Sequence, residues 1–98
     1  MRLEWDSAKN ASNRDKHGVS FDEAAELFRS GGDYLEVFDA AHSVDEDRFI
    51  AVGPIGRGVI VVVDTERDDD VFRIVSARRA TKSEKRSYEE HAKSIDRR

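Results

Sequence analysis

The sequence predicts an α+β fold: an antiparallel β-meander sheet with two N-terminal helices and one C-terminal helix packed on it. Three observations carry that reading. Asp33 to Arg79 is rich in β-branched and aromatic residues and is cut by short turn-forming pieces. Two capping boxes, Ser20-Phe21-Asp22-Glu23 and Thr81-Lys82-Ser83-Glu84, announce helices on either side of that stretch. Phe21, Ala24, Ala25 and Phe28 then recur at helical spacing, so the first of these helices has an apolar face to bury.

The elements follow in order. Met1 to Trp5 reads as a short strand. Asp6 or Ser7 caps a helix from about Ala8 to His17, because a side-chain oxygen there accepts from the free N–H groups of the first turn. Gly18 ends it in the left-handed conformation. The second helix starts at the Ser20 box and stops at Gly31-Gly32. Asp33 to Phe38 is a strand, Ala40 to Glu46 a polar loop holding His42, and Asp47 to Gly53 a second strand. Pro54-Ile55-Gly56-Arg57-Gly58 reads as a turn. Val59 to Val63 is an unbroken β-branched run, the sign of a central strand covered on both faces. Asp68-Asp69-Asp70 is an acidic turn, and Val71 to Arg79 the last strand. The Thr81 box opens a helix with Tyr88, His91, Ala92 and Ile95 on one face. Trp5, Phe21, Phe28, Phe49, Val61, Phe72 and Ile74 form the expected core. A single domain spans 1–94, with 95–98 frayed.

Composition excludes several function classes. The chain of 98 residues has no cysteine, so it has no disulfide, no thiolate metal site and no cysteine nucleophile. Its histidines, His17, His42 and His91, match no metal-ligand spacing. No metal or cofactor is expected. No apolar run approaches the roughly 20 residues of a membrane span, and the N-terminal residues lack the apolar core of a secretory signal. A cytoplasmic protein without a membrane partner is expected.

Charge is unevenly placed. Residues 1–70 carry 8 Lys/Arg against 17 Asp/Glu, net −9, whereas residues 71–98 carry 9 against 4, net +5. The basic end is either an anion site or a solvated helix face. The densest cluster is Thr65-Glu66-Arg67 before the acidic turn and Arg73, Arg78, Arg79 and Lys82 after it, with Arg48 on a neighbouring strand. Regular alternation puts Phe72, Ile74, Ser76 and Arg78 on one face and Val71, Arg73, Val75, Ala77 and Arg79 on the other. Arginine suits phosphate because its planar fork donates two parallel hydrogen bonds and stays charged. The same residues also suit ion pairing with the abundant carboxylates.

Glu4-Trp5-Asp6, then Lys9, Asn13 and Lys16-His17-Gly18-Val19-Ser20-Phe21, resembles the opening of the BrnT toxins. Asp39, His42-Ser43 and Asp47-Arg48-Phe49 fit the same family, as do Thr65-Glu66-Arg67, Arg73-Ile74-Val75-Ser76-Ala77-Arg78, Thr81, Glu84 and Tyr88-Glu89. The resemblance implies a bacterial type II toxin of RelE-like fold that cleaves RNA. It implies a BrnA antitoxin, a ribbon-helix-helix protein that forms a hetero-oligomer with the toxin and carries it to operator DNA. Ser7 stands where the family often has proline, and Asp68-Asp69-Asp70 where glycine is common.

Such a ribonuclease needs no metal, because the ribose 2′-OH is itself the nucleophile. Protein groups activate it, neutralise the phosphate and protonate the leaving oxygen. Arg78, Arg67, Glu84, His42, His17 and Tyr88 are the expected catalytic set, with Glu66 in reserve. Arg48, Arg73, Arg79 and Lys82 are expected to bind substrate. Of the neighbours Arg78 and Arg79, alternation lets only one meet a given phosphate, and Arg78 is favoured. The alternative, from a different class, is a non-catalytic regulatory module whose basic end docks a protein.

Overall fold

A computed structural model describes residues 2–29, 34–42, 46–66 and 70–96, of which 42 and 94–96 are described in backbone only. The elements are β1 (Arg2–Glu4), α1 (Ser7–His17), α2 (Phe21–Arg29), β2 (Leu35–Phe38), a 3₁₀ turn (Ala40–His42), β3 (Arg48–Ile55), β4 (Gly58–Glu66), β5 (Val71–Arg79) and α3 (Lys82–Asp96). The C-terminal end expected to fray from 95 is helical backbone through Asp96. Residues 97 and 98 lie outside the described set.

Each helix start follows its sequence signal. Asp6 caps α1, its Oδ1 accepting from the N–H groups of Ala8 (2.8 Å) and Lys9 (3.1 Å). Gly18 closes α1 at φ 71°, a left-handed conformation that glycine adopts without a Cβ penalty. Ser20 and Glu23 exchange the two bonds of a capping box at α2, as do Thr81 and Glu84 at α3.

The sheet order is β1-β5-β4-β3-β2. β2, β3, β4 and β5 each run antiparallel to the next, but β1 lies parallel to β5. The sheet is therefore mixed, which corrects the purely antiparallel expectation. Short turns force only the strands they join to be antiparallel. β1 meets a partner at the far end of the chain, and no turn fixes its direction. β4 is the central strand that the run Val59 to Val63 foretold. The expected turn at 54–58 is shorter, because Pro54 and Ile55 still pair with Val59 and Gly58 and only Gly56-Arg57 loops. Proline is tolerated there because β2 has ended by Val52, so β3 is locally an edge.

One face of the sheet carries the main core. Val19 and the α2 residues Phe21, Ala24, Ala25 and Leu27 pack on Ala51, Ile60, Val62, Ile74 and Ala77. α2 lies close to β3 at Gly53, where a Cβ would stand 2.6 Å from Leu27 Cδ1 and 2.8 Å from Tyr34 Cβ. Of the expected core, Phe21, Val61 and Ile74 are buried, while Trp5, Phe28, Phe49 and Phe72 are half-buried. Leu27 takes the place given to Phe28, which instead meets Tyr34 edge-on at 5.3 Å. On the opposite face Val52 and Val61 are buried, α3 contacts β3, and Arg78 holds the first turn of α3.

α1 performs a different task. β1 covers β5 only over Val71, Phe72 and Arg73, which leaves the edge bare beyond them. The Asn13 carboxamide closes it, donating to the Ala77 carbonyl (2.7 Å) and accepting from the Ala77 N–H (3.2 Å), as a paired strand would. It also donates to the Val19 carbonyl (2.9 Å). Those groups are buried, and unpaired they would cost stability.

Candidate functional site

β5 does not alternate regularly. Val63 pairs with Ser76 and Asp64 with Ile74, so Val75 is skipped as a bulge. The bulge corrects the expected faces: Ile74 and Ala77 both turn to the core, while Arg73, Ser76 and Arg78 share the opposite face. Three rows cross that face from β3 through β4 to β5: Val52–Val61–Arg78, Ile50–Val63–Ser76 and Arg48–Thr65–Arg73. Arg48 and Arg73 thus flank Thr65, which is fully buried and whose Oγ1 has no hydrogen-bond partner among the described residues. Arg73 is also held by Glu4 of β1, Nη1 to Oε1, at 3.3 Å.

Two depressions open beside these rows. One, of about 430 Å³, is lined by Lys9, Asp39, Arg48, Val63, Val75 and Ser76. The other, of about 290 Å³, is lined by Lys9, Ser12, Asn13, Lys16, His17, Val75 and Ser76. They share Lys9, Val75 and Ser76 and so form one groove between α1 and the sheet. Lys9, Ser12, Asn13 and Lys16 are spaced i, i+3, i+4 and i+7, one helix face. Asn13 fixes that face against β5, and the lysines stand on either side of it. The groove brings together three fixed cations, one imidazole, one carboxylate and two hydroxyls. Such a set can neutralise a phosphodiester and exchange protons with it.

The expected site residues divide. His17 and Arg48 line the groove, and Arg73 lies in the row beside it. Arg67 lies outside the described residues, and His42 is described only as backbone of the 3₁₀ turn. Arg78 and Glu84, expected to act on substrate, act on each other: Nη1 to Oε1 and Nη2 to Oε2, both 2.7 Å. That bond is the main reason the Glu84 carboxyl is held down to about 2, with the Thr81 N–H and the Arg78 charge adding to it. A carboxylate held so low does not carry protons near neutrality. Arg79 pairs with Ile60 and so faces the core side, away from Arg78, as alternation requires. Lys82 is exposed at the start of α3, Tyr88 is half-buried within it, and Glu66 is exposed at the end of β4.

Residues 5–84 match the family described as ribonuclease toxin, BrnT, of type II toxin–antitoxin system. The chain belongs to the BrnT family. A crystal structure of the Brucella abortus ribonuclease toxin BrnT, solved at 1.1 Å resolution, has the same fold, with a TM-score of 0.63. The likeness covers 84% of this chain and 99% of that one at 24% identity. No curated protein matches the chain. Membership in this BrnT family of type II systems implies an antitoxin partner. Among the described residues no helix is long and apolar enough to cross a membrane.

Lys9, Lys16 and Ser76 of this BrnT chain have no place in the catalytic or substrate-binding set expected from sequence. The i, i+7 spacing of Lys9 and Lys16 was the available signal. That signal is weak, because a helix face made of lysine, serine and asparagine does not read as one that packs.

Proposed function

We propose that this chain is a metal-independent endoribonuclease that inhibits translation and growth, and that the groove between α1 and the sheet is its active site. The observation that carries the reading is the convergence of Lys9, Lys16 and His17 from α1 with Arg48 from β3 on one sheet face. In this reading the RNA backbone lies along the groove. The 2′-OH loses its proton to a protein base as its oxygen attacks the adjacent phosphorus. The bond from phosphorus to the 5′ oxygen breaks, and that oxygen takes up a proton. The products are a 2′,3′-cyclic phosphate and a 5′-OH. His17 is the imidazole that lines the groove and the proton-transfer group of this reading. Arg48, Lys9 and Lys16 offset the charge that grows on the phosphate, with Arg73 extending the cationic surface; Arg67 remains a further phosphate-binding candidate. His42 and Tyr88 remain further proton-transfer candidates.

The partner in this reading is a BrnA-like ribbon-helix-helix antitoxin encoded next to the toxin, through which alone the pair reaches DNA. The fold is taken as RelE-like and the site of action as the cytoplasm. The test is inducible expression with and without the adjacent gene, followed by mapping of RNA ends. Growth arrest, new RNA ends bearing 5′-OH, and cleavage by purified protein in EDTA are expected. Intact RNA in arrested cells, or cleavage that EDTA abolishes, overturns the reading.

A further inference from the structure

A third cavity lies away from the groove, at the opposite end of the sheet. It encloses about 220 Å³ between the β3–β4 turn, the end of β5 and the first turn of α3. Val19, Ile55, Val59 and Ile60 make an apolar floor, with Arg57, Arg79 and Lys85 around it. Val19 and Ile60 are buried beneath it, so the floor is part of the rigid core. Arg57 is already engaged: it bonds Glu23 at 2.8 Å and the Gly18 carbonyl at 3.2 Å. Arg79 and Lys85 make no ion pair with any described residue. Both belong to residues 71–98, the net +5 end of the chain, and they set positive charge beside an apolar hole.

Size and charge select the occupant. The volume falls below the roughly 300–1,000 Å³ of small-molecule sites, and it suits one large apolar side chain. The cations call for carboxylates beside that side chain, the arrangement of an anchored hot spot with a charged rim. We propose that this cavity is an anchor point for the antitoxin, which inserts an apolar side chain and sets flanking carboxylates on Arg79 and Lys85. The proposal rests on the family's type II toxin–antitoxin character. It adds that the partner grips the toxin at a place separate from the groove, since the cavity and the groove share no lining residue.

The experiment uses the full chain and the protein encoded by the adjacent gene. Lys85→Glu reverses an exposed charge, and Val59→Phe fills the cavity from β4. Binding to Lys85→Glu should weaken about tenfold at low salt, with the deficit shrinking as salt rises. Val59→Phe should raise the dissociation rate about thirtyfold, as loss of an anchoring side chain does. Both free variants should still cleave RNA, and cells expressing them should need more antitoxin for rescue. If the parent binds and both variants bind equally well, the anchor is wrong and the ribonuclease reading stands. If Lys85→Glu loses RNA cleavage and keeps its partner, the cavity belongs to the substrate and the proposal falls. If the parent binds nothing from the adjacent gene, the choice of partner fails, and the anchor fails with it.

Discussion

Arg78 lays both terminal nitrogens on the carboxylate of Glu84, each at 2.7 Å, and so ties the end of β5 to the first turn of α3. Glu84 is at the same time the returning arm of the Thr81 capping box, accepting from the Thr81 N–H at 2.8 Å. One carboxylate thus serves strand, helix and cap. Its folded pKa, about 2, lies below the ordinary value of 4.5, so its contribution is present above about 4.5 and lost as pH falls through about 2. Because the Arg78 side chain is 42% exposed, we expect the pair to contribute about 1 kcal/mol rather than the full linkage value. Glu84→Gln should lower stability at pH 7 by that order and flatten the acid limb of a pH–stability curve. Arg78→Ala should lower stability similarly and leave RNA cleavage by the folded protein near parent level. A stable Arg78→Ala variant with no cleavage would return Arg78 to the phosphate.

Asp64 titrates in the opposite sense. It is 1% exposed on the core face of β4, and burial, then Glu36 and Glu66, push it up to about 7 from 3.8. Tyr34 faces the same cluster, and its hydroxyl is raised by burial and by the Glu36 and Asp64 charges. A raised carboxyl stabilises the fold fully below about 4, and that contribution is lost as pH rises through about 7. Asp64→Asn removes the ionisation penalty. It should be more stable than the parent at pH 8, by up to about 4 kcal/mol, and the advantage should vanish near pH 4. Urea unfolding at the two pH values measures it, and an equal difference at both would refute the assignment.

Asn13 supplies both halves of a strand's hydrogen bonding from one side chain. Asn13→Ala strands the Ala77 N–H and the carbonyls of Ala77 and Val19, at a cost of about 2–4 kcal/mol. Asn13→Asp should be worse at neutral pH, since a carboxylate would face those two carbonyls with no proton to offer. Chemical denaturation checks the order, and a parent-like Asp variant would contradict it.

Arg48 is the arginine we expect to matter for cleavage. Arg48→Ala should slow RNA cleavage ~10²–10³-fold, the typical loss for a preorganised charged donor. Arg48→Lys should recover part of it, keeping the charge and losing the fork. Lys9→Ala and His17→Ala should each fall well below the parent in the same assay. Full activity in Arg48→Ala with normal folding would move the active site out of the groove.

Local signals were read where the physics is local. Asp6, Gly18, the Ser20 box and the Thr81 box each depend on atoms within one turn, and each was visible in sequence. The central position of β4 was visible because burial on both faces leaves no polar alternation. Leu27 falls outside the i, i+3, i+4, i+7 set because α2 packs close on the side-chain-free Gly53, which takes in Leu27 and leaves Phe28 half-buried. The direction of β1 is set by packing at long range and leaves no mark in the sequence around it. The groove residues are hard to read from sequence for the same reason. Arg78 has its acceptor six residues on, whereas Lys9 and Lys16 gain their position only because Asn13 reaches Ala77 across the whole domain.

The unpaired Val75 makes β5 a strand with a phase change. Residues before it and after it keep faith with the same two faces only because one residue is counted out between them. Deleting Val75 would leave Ile74 and Ser76 adjacent in regular alternation, on the two faces they already hold, so the strand can lose that one residue without turning either half over. Losing a residue elsewhere in β5 would put its two halves out of phase unless Val75 rejoined the ladder to restore the count. β5 should therefore accept a change in length at Val75 and resist one anywhere else. In a lineage of such proteins, the residue count of this strand would vary at the bulge while the residues on either side keep their faces.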